Sequence, residues 1–462
     1  MRRAAVFALA LWAGAAAAQA PVTPDPIPQR IAPSGRAAEL VDVVRIPPSS
    51  PDPPRARLDF LTHAGDGSGR LFVVDMRGRI YVFRPGMSRP AVFLDLAVAR
   101  GDRFLDDSRE KGAKTIAFHP DYARRGAPGE GRFYTVSSER PDPALPALGE
   151  ALMAKVNHVD VVAEWRVDPA APDRADPSSR RELLRVAFPN FGHNVGQLAF
   201  DPTLRPGDAG YGMLYVGVGD GTFPPSGSRA QDLSAPLGKI LRIDPRAAGS
   251  RAYAIPPDNP FAAQGGALGE VWAYGLRNPQ RFGWDVGHSG AMLIADIGED
   301  NVEEIDLGRA GANYGWPLRE GRFVLDRANP ETLYPLPADD ARHGFVYPLA
   351  QYDHDEGRSI VGGYVYRGAR VPDLAGEYVF GDLFGGRVFH ATAADLIAGR
   401  DPRIGELTLL RDGRAVTLLS LMGDAPRADL RFGIGEDGEV YVLTKYDGMV
   451  RRFAPAAATP RR

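Results

Sequence analysis

Residues 71–83 read LFVVDMRGRIYVF, an apolar run, a turn containing Gly78, and a second run rich in Arg, apolar and aromatic residues. Short β-branched and aromatic runs bounded by turn residues are strands, not helices. The same order of features returns at residues 377–389 and 440–453. Further runs of this kind begin at Arg132 (RFYTVSS), Met213 (MLYVGVGDG), Gly238 (GKILRIDP), Glu270 (EVWAYG), Met292 (MLIADIG) and Gly362 (GGYVYRG). Imperfect recurrence of strand pairs argues for radial repetition of small sheets, which protects strand edges without disulfides or covering helices. The expected fold is all-β, a six-bladed β-propeller over residues 57–455. A β-sandwich is the structural alternative, but so many strand pairs in one domain would strain two sheets. Residues 141–181 and 319–349 break the pattern and read as long insertions of the kind that shape the mouth of a site.

The N-terminus reads as a signal peptide over residues 1–20: Arg2 and Arg3, an apolar stretch Ala4 to Ala18, then the small-residue pattern Ala18-Gln19-Ala20. About fifteen apolar residues are too few to span a bilayer, so the expectation is export to the periplasm or beyond, with no membrane span. Residues 21–56, rich in Pro and Ser, are expected to form an extended lead-in over the domain surface, and residues 456–462 a C-terminal tail. The chain has no cysteine, which excludes disulfides, thiolate metal sites and cysteine nucleophiles. Stability must come from core burial. A formal net charge of -3 without a basic stripe argues against nucleic acid as a partner and favours a small, neutral or weakly charged ligand.

Five segments carry chemistry. In EKGAKTIAFHPDY, from Glu110, His119 stands in a His-Pro-Asp turn after a buried strand, a structural position. In FGHNVGQLAFDP, from Phe191, His193 lies between Gly192 and Asn194 just before a strand, placed either as a general base or as a hydrogen-bonded loop histidine. In YGLRNPQRFGWD, Arg277 and Asn278 precede a Pro; the Arg fork suits a carboxylate or quinone oxygen, or an inter-blade salt bridge. ADIGEDNVEEIDL, from Ala295, clusters Asp296, Glu299, Asp300, Glu303, Glu304 and Asp306 around a Gly, as a calcium loop or a solvated acidic turn would. In YDHDEGRSIVGGYVYRG, from Tyr352, His354 lies between Asp353 and Asp355, where it could be held as imidazolium, help ligate a metal, or stay exposed in a charged turn.

Taken in order, EKGAKTIAFHPDY, GHNVGQLAF, GLRNP, DIGEDNVEEIDL with NYGWP, and GGYVYRG resemble the glucose/sorbosone dehydrogenase family, soluble propellers that use pyrroloquinoline quinone (PQQ). The resemblance implies oxidation of an aldose at its anomeric carbon to the lactone, with electrons passed to an external acceptor. It implies that His193 is the base, that Arg277 and Asn278 contact the quinone, and that Glu110 lines the cofactor edge. It implies that the carbonyls of Gly298 and Glu299 hold the Ca2+ bound to PQQ, and Glu303 is taken as a further metal ligand. Phe384 stands where the family has a Lys, and Arg427 and Arg431 stand near, though out of register with, the family's arginine pair. These two arginines complete the expected cofactor set. The forms DIGEDNVEEIDL and GGYVYRG also resemble a branch that includes hedgehog-interacting protein, which implies the alternative of a non-catalytic propeller binding a glycan or a protein. A calcium-dependent propeller lactonase is a third reading.

Overall fold

The computed structural model describes residues 21–22, 25–247, 249–400, 402–423 and 425–456. The signal expected over 1–20 and nearly all of the expected tail lie outside the described residues. Among the described residues, the main strands group into six antiparallel units of four. The first unit is Leu58–His63, Leu71–Asp75, Arg79–Phe83 and Ala91–Asp95. The second runs from Ala113–Phe118 to Ala171–Phe188, the third from Val195–Phe200 to Val271–Tyr274, and the fourth from Arg281–Trp284 to Ala350–Asp353. The fifth runs from Ile360–Val365 to Gly405–Arg411, and the sixth holds Leu430–Ile434, Val440–Thr444 and Met449–Pro455.

Each unit is buried on both faces, which explains why LFVV is continuously apolar and does not alternate. Phe72 and Val74 face the second unit, against Ile116, Phe118, Phe133 and Trp165. Leu71 and Val73 face the sixth, against Tyr441, Leu443 and Val450. Apolar layers of this kind lie between every consecutive pair of units and between the last and the first. The innermost strands touch in the same cyclic order, so the sheets close into a ring, the arrangement of a propeller.

The sixth unit takes its fourth strand from the lead-in. Pro33–Arg45 pairs antiparallel with Met449–Pro455, Leu40 opposite Phe453, and parallel with Gly405–Arg411 of the fifth unit. The lead-in therefore does not merely cross the surface. Only one side of this outer strand is buried, Ala38 and Leu40 entering the core, so its apolar signal is sparse. The stretch 141–181 also differs from expectation: only its first part is a loop, because His158–Asp168 and Ala171–Phe188 are the outer strands of the second unit. Pro172, Pro177 and the charges around them suit an edge strand, where a missing amide donor and exposed side chains are tolerated. The stretch 319–349 is an insertion that builds a three-stranded sheet of its own, Arg319–Glu320, Phe323–Leu325 and Leu333–Tyr334.

Where the innermost strands converge, Asp59 of the first unit meets three cations. Arg431 Nε donates to its Oδ1 at 2.8 Å, Lys445 Nζ lies 2.9 Å from the same oxygen, and Arg281 NH2 donates to Oδ2 at 3.1 Å. Although burial works the other way, Lys445, Arg281 and Arg431 hold the Asp59 carboxyl well below the usual carboxylate range. Burial pushes the Lys445 ammonium down to about 8. Removing the one anion from this buried group leaves three cations uncompensated, so Asp59→Ala should cost about 3–5 kcal/mol. Urea denaturation followed by tryptophan fluorescence checks this; an unchanged midpoint would mean that the axial group carries no stability.

Candidate functional site

The start of each unit's first strand and the turn between its second and third strands lie at one end of the ring. Glu110, His193, Arg277, Asn278 and Arg427 occupy starts; Asp220, Gly298, Glu299 and Phe384 occupy turns. This is why residues far apart in sequence meet.

His193 immediately precedes Val195–Phe200 with φ +50°, a left-handed conformation that costs a non-glycine residue about 1 kcal/mol or more. Two backbone bonds hold it: its N–H donates to Glu110 Oε2 at 2.9 Å, and its carbonyl accepts from Gly221 N at 3.2 Å. Gly219 lets that carbonyl approach, since a Cβ there would lie 2.4 Å from it. The ring's Nδ1 sits 2.8 Å from Oδ1 of Asp220, which is 1% exposed. Asp220 is itself fixed: Oδ2 accepts from the Trp316 indole at 2.9 Å, and Oδ1 accepts from Thr222 N at 3.0 Å. A carboxylate acceptor on Nδ1 places the proton of the neutral imidazole there and leaves the lone pair on Nε2. The imidazole is 13% exposed, and Nε2 has no partner among the described residues.

Around this pair the structure brings together most of the expected set. Glu110 anchors the His193 backbone and, through its carbonyl, accepts from Asn194 Nδ2 at 3.1 Å. Asn278 is buried, its N–H donating to Asp296 Oδ1 at 2.6 Å. Asp59, Glu110, Lys114, Asn194, Asn278 and Lys445 line a cavity on the axis with about 20 Å³ open to a water-sized molecule. That volume admits about one water.

Arg277 lies with its guanidinium carbon 5.5 Å from the centre of the Trp316 ring. Its Nε donates to Glu299 Oε2 at 2.6 Å, and its NH1 donates to the carbonyls of Ile297 and Gly298. Burial opposes its charge, but Glu299, Asp220 and Glu320 outweigh burial and hold it firmly protonated. The ion pair that forms here lies within one unit and is not the inter-blade bridge expected.

The three residues expected to hold calcium lie close to Arg277 or His354. The Gly298 carbonyl accepts from Arg277, and so does the Glu299 side chain, whose backbone carbonyl was the expected ligand. Glu303 is fully buried, accepts from Ile360 N at 2.9 Å and from Gly298 N at 3.3 Å, and lies 2.8 Å from His354 Nε2. In this arrangement the Gly298 carbonyl and the Glu303 carboxylate are thus engaged by protein donors. Because Val302–Leu307 is a strand, alternation splits the expected acidic cluster. Asp296, Glu304 and Asp306 are buried on the side away from Glu303, and burial raises Asp296 to about 7 and holds the other two well above the usual range. His354 finds its partner in Glu303, not in the aspartates beside it.

Arg427 and Arg431 also depart from expectation as cofactor ligands. Arg431 is 1% exposed and committed to Asp59. Arg427 pairs with Asp429 and lies 3.9 Å from the centre of the Phe384 ring, so the two positions that differ from the family pattern meet each other. His119 takes its turn role: Nδ1 accepts from Asp121 N at 3.0 Å, and burial lowers its pKa to about 4. Sequence reasoning missed Asp220 and Trp316, both of which lie in motifs it quoted, MLYVGVGDG and NYGWP.

The family model for Glucose / Sorbosone dehydrogenase matches residues 60–451. The chain belongs to the glucose/sorbosone dehydrogenase family. It is 31% identical over 374 residues to HIPL1 protein of Arabidopsis thaliana, covering 72% of this chain and 52% of that one. It is 27% identical over 399 residues to human hedgehog-interacting protein, covering 84% and 49%. The chain thus spans about half the length of these curated relatives. Among solved structures, the PQQ-bound aldose sugar dehydrogenase of Streptomyces coelicolor superposes with a TM-score of 0.57 at 20% identity, covering 91% of this chain and 98% of that one. At that identity the likeness is one of fold. Among the described residues no helix is long and apolar enough to cross a membrane.

In this glucose/sorbosone dehydrogenase fold, Asp220 sets the histidine tautomer. Asp220→Ala should move the His193 ring from the Nδ1–H form to the Nε2–H form that free histidine favours. Nitrogen-15 NMR of labelled histidine reads the change; an unaltered tautomer would remove Asp220 from that role.

Proposed function

We propose that the chain is an aldose oxidoreductase of the PQQ-using kind, exported to the periplasm or beyond, on a six-bladed propeller in which each four-stranded unit is one blade. The observation that carries this reading is the His193–Asp220 pair, with Nε2 free at the open end of the ring. In this reading Nε2 takes the proton of the sugar's anomeric hydroxyl as hydride leaves the same carbon, and the lactone forms. Asp220 stabilises the imidazolium that results, and the Trp316 indole and Thr222 amide keep Asp220 aimed at it. Arg277 and Asn278 are the groups that would hold the quinone, a planar anionic acceptor suited to a guanidinium fork. PQQ, when bound, supplies the two-electron acceptor for the hydride, and an external acceptor then reoxidises it.

Glu299 competes for the Arg277 fork, so the quinone must displace it. Glu299→Gln should therefore tighten PQQ binding by about tenfold or more, read from an absorbance titration. Equal affinity in the two proteins would separate Arg277 from the quinone.

A second reading, a propeller that binds a glycan or protein without chemistry, is favoured by the pairing of Arg277, Arg427 and Arg431 with carboxylates. Exposed aromatics at the same end, Phe191 and Phe384, favour it too. The two readings part on one experiment: purified protein supplied with PQQ and calcium, with aldose-dependent reduction of an artificial dye followed. Turnover that falls roughly a hundred- to ten-thousand-fold in His193→Ala supports the base. No retained quinone and no turnover would sink the oxidoreductase.

A further inference from the structure

Three carboxylates gather at the outer edge of the fourth unit, away from His193. Asp353 ends the strand Ala350–Asp353 and is 2% exposed. Its Oδ2 accepts from Ile27 N at 3.0 Å, while its Oδ1 is buried without a hydrogen-bond partner among the described residues. Asp355 lies two residues on, and Asp25 reaches in from the N-terminal segment. One carboxylate oxygen from each lies within 4.8 Å of the other two. Arg30 offsets part of the negative charge by pairing with Asp355 and Glu356. Among the described residues no cation pairs with Asp25 or Asp353.

A bare buried carboxylate oxygen is costly unless it is protonated or meets a cation. Oxygens this close together can share one hard cation. We propose that Asp25, Asp353 and Asp355 bind a hard divalent cation such as calcium, with water completing the shell.

The site would fasten the N-terminal segment. Val22 N donates to Leu333 O at 2.9 Å, and Val22 and Ile27 pack on the apolar cluster of Val302, Trp316, Leu325 and Leu333. Trp316 in turn donates to Asp220. A cation between Asp25 and Asp353 thus holds a strap across the cluster that positions the His193–Asp220 pair.

The test uses chelator-treated protein without PQQ, titrated with calcium chloride in a calorimeter. One ion per chain is expected, with a rise in Tm and slower proteolysis of the bonds before Arg30. Asp25→Asn, at an exposed position, and Asp353→Asn, which keeps an acceptor for Ile27, should each weaken binding by about tenfold or more. Circular dichroism without calcium confirms that both variants fold. Absence of binding at millimolar calcium overturns the proposal. So does binding with unaltered affinity in Asp25→Asn, which would locate the ion elsewhere, at the Gly298 carbonyl for example.

Discussion

The axial group of Asp59, Arg281, Arg431 and Lys445 is the constraint around which the rest is arranged. A ring of sheets leaves the starts of its innermost strands crowded on the axis, where polar side chains lose water. One carboxylate from the first unit, bonded to cations from the fourth and sixth, neutralises that crowding and ties opposite sides together. Ion groups of this kind contribute more to specificity than to net stability, because desolvation offsets most of the attraction. Here the specificity is positional: the same strand starts carry Glu110, His193, Arg277 and Asn278.

The second level of control is backbone geometry at the open end. His193 sits in a left-handed conformation because Glu110 and Gly221 bond its amide and carbonyl, and its side chain is set by Asp220 and, through it, by Trp316. Three units contribute to one imidazole. Arg277, by contrast, is satisfied within its own unit by Glu299 and the neighbouring carbonyls, which makes it an exchangeable donor.

What was legible in the sequence follows from these two levels. Runs such as LFVV are conspicuous because both their faces are buried, whereas Pro33–Arg45 buries one face and Ala171–Phe188 lies at an edge, so both read as loops. His193 was legible because small and polar neighbours flank it. Its partner was not, since Asp220 reaches it only once two strands have been laid side by side. Residue types identified Glu303, Arg427 and Arg431 as ligands, but strand alternation turned Glu303 to His354, and burial committed Arg431 to Asp59. Pairings belong to the fold, and a single sequence records only the candidates.

The closing strand has a further consequence. Pro33–Arg45 has no partner until Gly405–Arg411, and then Met449–Pro455, have followed far along the chain. Contacts spanning nearly the whole chain are slow to form. Five sheets can therefore assemble while the sixth stays open, its edge unpaired and able to recruit a foreign strand. Maturation of the ring is then a seam-sealing event that waits on the last segment to be synthesised, and a chain cut short before that segment would carry a sticky edge in place of a closed wall.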